Sequence, residues 1–114
     1  MATPTHNLEY PEELQLLLEN LLGSTNVYFQ PPSQQKINYP CIVYQLDYIR
    51  TKYADSLPYN NAKRYSVTYI SKTPDQYIPD KIGLLPTASF DRFYVSDNLN
   101  HWAYRLYFDA KPNN

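Results

Sequence analysis

Ser89–Phe108, SFDRFYVSDNLNHWAYRLYF, is the stretch whose reading decides the fold. It reads as two aromatic strands joined by a polar turn, Asp97-Asn98-Leu99-Asn100. In the second strand Trp102, Tyr104, Leu106 and Phe108 take every other position, and a strand sends such positions to one face. A face that apolar has to close a core or a subunit contact. Core is the reading preferred for Trp102, Tyr104 and Phe108.

Working outward, Cys41–Tyr53 reads as a long strand rich in Ile, Val and Tyr. Lys63–Lys72 is its partner, with Tyr65, Val67 and Tyr69 on one face. Between them Ala54–Ala62 carries Pro58, Tyr59, Asn60 and Asn61, which are turn residues, so a long loop is expected there. Asn26–Gln30 is a short strand stopped by Pro31-Pro32, followed by the polar loop Ser33–Asn38.

Tyr10–Leu22 is the clearest helix. Pro11 suits the first helical position, Glu12 and Glu13 complement the positive end of the helix dipole, and Gly23 can terminate it. Leu14, Leu17, Leu18, Leu21 and Leu22 form a core-facing stripe. Thr73-Pro74-Asp75-Gln76 has the form of a helix start, with a capping hydroxyl and Gln three residues on. Pro79 disturbs it by biasing Ile78 away from helical angles. The expectation is a turn at Thr73–Tyr77, then a short helix at Pro79–Leu85 anchored by Ile82 and Leu85. The order gives an α+β domain: a small, mostly antiparallel sheet packed against an N-terminal helix and a second short helix. Residues 1–9 read as a loose arm, 10–110 as a single domain and 111–114 as a tail.

The chain has 114 residues, with 13 Tyr, 10 Pro, 2 Gly and a net charge of −1. That balance is no global nucleic-acid signature. Tyr in such numbers suits either protein interfaces or half-buried strands. Residues 1–35 hold Glu9, Glu12, Glu13 and Glu19 and no basic residue, whereas residues 36–114 hold 10 basic and 7 acidic ones. Such a split could orient identical subunits head to tail, or simply be an acidic solvated helix face.

Convergent catalytic chemistry is scarce. Cys41 is the only cysteine, has no charged neighbour in sequence and reads as a small buried hydrophobe in a reducing compartment. His6 and His101 are the only histidines. Asp97-Asn98-Leu99-Asn100-His101 lacks a second His at ligand spacing and reads as a hairpin turn, not a metal site. Asp91 and Asp97 are expected to pair with Arg92 or Arg105 rather than act as a carboxylate pair. Two glycines exclude a Gly-rich phosphate loop. No enzyme, metal or cofactor is expected. Nor is a signal peptide or membrane span, which makes the expected product soluble and cytoplasmic.

The group that does stand out is basic and aromatic. If Cys41–Tyr53 pairs with Lys63–Lys72, then Arg50, Lys52, Lys63 and Arg64 gather at the base of the loop, beside Tyr48, Tyr53, Tyr59 and Tyr65. Contact with nucleic acid, contact with an acidic protein surface and a solvated hairpin tip are all open readings. Interface contacts are assigned to Arg50, Lys52, Tyr53, Tyr59, Lys63 and Arg64 of this hairpin and to Arg92 and Arg105.

Tyr39–Leu46 (YPCIVYQL), Tyr65–Ile70 (YSVTYI), Ile78–Pro86 (IPDKIGLLP) and Ser89–Phe108 resemble, in order, the body of tail terminator proteins of long-tailed, non-contractile bacteriophages. The last two segments are the specific part. The resemblance implies an α+β fold and a homo-oligomeric ring, six-fold in that family, that caps the tail tube and halts its polymerisation. Implied partners are further copies of the chain, the tail tube protein and the head-completion or stopper protein, with DNA only in transit through the lumen. It carries over no catalytic residue. The implied location is the head-proximal end of the virion tail, after synthesis in the host cytoplasm. The arm and the loop at Ala54–Ala62 are candidates to order on assembly. Two other readings stay open. One is a head-completion or stopper protein of the neck; the other is a small nucleic-acid-binding regulator, marked by salt-dependent DNA affinity.

Overall fold

The computed structural model describes residues 11–54 and 57–108, with the backbone alone described for residues 50–54 and 57–62. The expected arm and tail lie outside the described residues. Seven elements follow in chain order: α1 (Glu12–Leu22), β1 (Val27–Phe29), β2 (Cys41–Ala54), β3 (Leu57–Ser71), α2 (Tyr77–Gly83), β4 (Ser89–Ser96) and β5 (Leu99–Tyr107). The strands form one sheet in the order β1-β2-β3-β5-β4, antiparallel except for the β1–β2 pair. The fold is α+β.

Register builds the core row by row. Ile42, Tyr69, Trp102 and Phe93 are cross-strand neighbours, as are Tyr44, Val67, Tyr104 and Phe90. Both helices cover this face: the Tyr44 hydroxyl donates to Gln15 Oε1 of α1 at 2.7 Å, and the Tyr104 hydroxyl donates to the Pro79 carbonyl of α2 at 2.8 Å. Leu14 and Leu18 of α1 are fully buried in the same cluster, together with Ile82 of α2. Each such side chain contributes ~1.5–3 kcal/mol relative to leaving it in water. Trp102 packs between Tyr69 and Phe93, with ring centroids 5.4 and 5.1 Å away. The alternation in β5 is therefore core, with Phe108 packed partly buried against it.

Several local expectations shift. Pro11 stands just before α1 rather than at its first helical position. Gly23 ends α1 as expected, at φ 84° with its N–H on the Glu19 carbonyl. The second helix starts at Tyr77, two residues earlier than expected, and ends at Gly83. Pro79 fits because first-turn N–H groups lack helical acceptors anyway. Asp75, not Thr73, bonds the Tyr77 N–H there, at 3.0 Å.

The aromatic hairpin turns on Asp97 and Asn98 alone, both at positive φ (54° and 61°), while Leu99 and Asn100 already belong to β5. Two-residue hairpin loops favour this conformation, and Asp and Asn tolerate it. The largest correction concerns the long loop. Leu57–Ala62 is strand, paired with β2 out to Ala54–Leu57. Pro58 sits opposite Tyr53 at a register irregularity, where a missing N–H is tolerated.

Candidate functional site: an open sheet face and a projecting ribbon

The sheet face opposite the helices has its own rows. Val43, Thr68, Ala103 and Arg92 form one; Cys41, Ile70, His101 and Tyr94 the next; Gln45, Ser66, Arg105 and Ser89 the third. Small and uncharged residues fill the centre, and charge collects at two bulges. The register slips between Leu46 and Tyr48 and again between Phe90 and Arg92, which makes Asp47 and Asp91 the extra residues. A bulge re-aims its side chain. Both carboxylates reach Arg105, at 3.9 and 3.6 Å, and Asp47 also accepts from Arg64 Nε at 2.9 Å. That hydrogen bond to Asp47 is the main cause raising the Arg64 pKa further.

The bulge at Asp47 has a second effect. A one-residue slip moves every later side chain to the other face. Tyr48 therefore joins the open face opposite Arg64, whose guanidinium lies 5.1 Å from its ring centroid. The register positions of Arg50 and Lys52, opposite Ala62 and Asn60, continue the same alternation.

Beside this network, Tyr94 stacks on His101 at 4.5 Å and 13°, and the Arg92 guanidinium lies 4.8 Å from the Tyr94 ring. His101 Nδ1 is 3.0 Å from the Leu99 carbonyl.

The structure thus brings Arg64 and Arg105 together through Asp47 and seats Arg92 on the same face. Lys63 belongs to the opposite alternation, across from Ile49. Arg50, Lys52, Tyr53 and Tyr59 fall on the backbone of the β2–β3 ribbon, and their side chains lie outside the described residues. β5 ends opposite Arg64, and the Phe108 N–H bonds the Lys63 carbonyl. Beyond that point the ribbon pairs only with itself among the described residues. The expected gathering at a loop base is thus a line running out along a projecting two-stranded ribbon. Asp91 pairs with Arg105 as the sequence suggested. Asp47 organises the cluster, yet nothing in the sequence marks it: it takes the polar phase of the strand, and the apolar phase runs on from Ile42, Tyr44 and Leu46 to Tyr48.

The expected charge split does not resolve into two faces: Asp47 and Asp91 share the open face with the arginines, and Lys81 lies in α2 on the helix side. Glu12 and Glu13 are exposed on α1, while Arg64, Arg92 and Arg105 lie on the open face. Cys41 is fully buried, and desolvation pushes its thiol up to about 12. A thiol so shifted is not an activated nucleophile. Among the described residues no three His, Cys, Asp or Glu side chains are placed to hold a metal, and no helix is long and apolar enough to cross a membrane. Comparison with protein-family models and with curated proteins finds no match for the chain.

Proposed function

We propose that this chain is a structural virion protein: a tail terminator whose ring caps the tail tube, stops its polymerisation and offers the surface that joins the head. The observation that carries the reading is the resemblance of Ile78–Pro86 and Ser89–Phe108 to that family. These segments correspond to α2 and the β4–β5 hairpin, one packed block tied by the Tyr104–Pro79 hydrogen bond.

The surfaces support it physically. Terminating a tube is surface matching, and such work needs aromatic and Arg anchors rather than convergent catalytic groups. A ring of identical subunits uses one patch on each copy against a different patch on the next. In this reading the open face lines the lumen. Its Arg64 and Arg105 are neutralised by Asp47 and Asp91, which suits a channel that must let DNA pass without holding it. The partners are other copies of the chain in a six-fold ring, the tail tube protein and the head-completion or stopper protein.

Electron microscopy of lysates from a genome with this gene disrupted tests the reading. Overlong, irregular tubes with unattached heads are the expected result. Tails of normal length beside separate, emptied heads would reassign the chain to the neck.

A further inference from the structure

β4 is the outer strand of the sheet, bonded to β5 on one side only and eight residues long. On the helix side its Phe90, Phe93 and Val95 are 56, 46 and 60 % exposed. Phe90 and Phe93 form, with Trp102, Tyr104, Pro74 and Gln76, a groove of about 370 Å³. The indole N–H of Trp102, buried at the floor, has no acceptor among the described residues. Natural edges of this length are usually guarded by Pro, by inward charges or by a covering element. β4 has no Pro, and its Asp91 and Arg92 are engaged on the opposite face with Arg105 and Tyr94.

The same chain carries the complementary defect. Past Lys63 the β2–β3 ribbon continues to Ala54 and Leu57 without a third strand among the described residues. A two-stranded ribbon is marginal in water unless another surface supports it. Its sequence is rich in groups that fill apolar grooves: Ile49, Tyr53, Leu57 and Tyr59. Lengths agree as well. The β3 part of the ribbon, Leu57–Lys63, spans ~23 Å and Ser89–Ser96 ~27 Å at the usual strand rise. The two cannot meet within one chain. β4 starts opposite Arg105 and runs back toward Ser96, whereas the ribbon leaves the sheet past Arg64 in the other direction.

We propose that the free edge of β4, with the groove beside it, receives the β2–β3 ribbon of a second copy of this chain. Main-chain pairing of the ribbon's β3 edge along β4 supplies the adhesion. The contact is heterologous, so it repeats head to tail. It names the subunit contact of the proposed ring and rests on that reading only for closure of the ring, not for the pairing.

Disulfide trapping tests the contact. One preparation carries Val95→Cys, and others carry Leu57→Cys, Tyr59→Cys or Asn61→Cys singly. Native Cys41 is buried and serves as the unreactive background. On mild oxidation, mixing the Val95→Cys chain with at least one ribbon variant should give a heterodimer, and the matching double variant should give a ladder. Val95→Lys should leave the circular dichroism unchanged and raise the self-association constant of dissociation about tenfold or more. It should also move the concentration dependence of Trp102 fluorescence to at least about tenfold higher concentration, Trp102 being the sole tryptophan.

Dominant Val95–Val95 cross-links, no trapping in any mixture while oligomers form, or unchanged assembly of Val95→Lys would each overturn the proposal. The ring reading fails separately. A trapped ladder from a chain whose gene disruption leaves tail length normal keeps the contact and removes the terminator.

Discussion

Cys41 and the Tyr44–Gln15 pair show how much single side chains constrain this fold. The unfolded chain releases a thiol proton near ~8.5, whereas burial holds the native thiol protonated to about 12. Above ~8.5 the unfolded state therefore binds fewer protons than the native one. The stability contributed by the neutral thiol is complete below that pH and is lost as pH rises toward 12. Burial raises Tyr69 and Tyr104 as well, which acts in the same alkaline direction. Urea midpoints should fall as pH climbs from about 9 to about 11, and Cys41→Ala should flatten that fall; an equal slope in both chains would remove Cys41 as a cause. Gln15 is a different kind of constraint, joining Tyr44 to Glu19 and to the Val27 carbonyl. Gln15→Ala should cost ~1–3 kcal/mol, because buried groups lose their partner, and Tyr44→Phe nearer ~1 kcal/mol. The reverse order in urea melts would show that Gln15 is not the linchpin of the α1–sheet contact.

Elements were legible where periodicity and burial act together. The Leu stripe of α1 and the alternating Tyr65, Val67, Tyr69 and Trp102, Tyr104, Leu106 sets each face one core, so their pattern survives into the structure unchanged. Gly23 was legible for a local reason, the left-handed residue a helix end calls for. The ribbon was not, because Pro58, Asn60 and Asn61 have turn preferences that pairing with β2 overrides. The bulges were hidden too: one extra residue is visible only against its partner strand, so Asp47 could not be identified as the centre of the Arg64–Arg105 cluster. The cluster and the bulge can be separated by experiment. Asp47→Ala leaves the strand length intact and removes only partly exposed pairs, so it should cost less than ~1 kcal/mol. Deleting Asp47 moves Tyr48 and all ribbon positions after it to the other face and should abolish assembly. Equal, mild effects of the two changes in sedimentation would mean that the bulge does not set the ribbon's orientation.

At the scale of the whole molecule, the chain divides into a body that folds and a ribbon that reaches. Among the described residues, the last sheet neighbour of the ribbon is the Phe108 N–H on the Lys63 carbonyl. Ile49 and Lys63 are direct register partners, so an Asn-Gly turn between them can close β2 on β3 with the local backbone those residues favour. Replacing residues 50–62 by Asn-Gly should then leave far-ultraviolet circular dichroism of sheet and helix type and move Tm by only a few degrees, about what ~1 kcal/mol produces in a domain this size. The same chain should sediment as a monomer at concentrations where the full chain assembles. Its Trp102 emission should no longer depend on concentration, since β4 would have no ribbon to receive. A shortened chain that unfolds would place the ribbon inside the folding unit. One that still assembles would show that subunits meet through other surfaces and not through the ribbon.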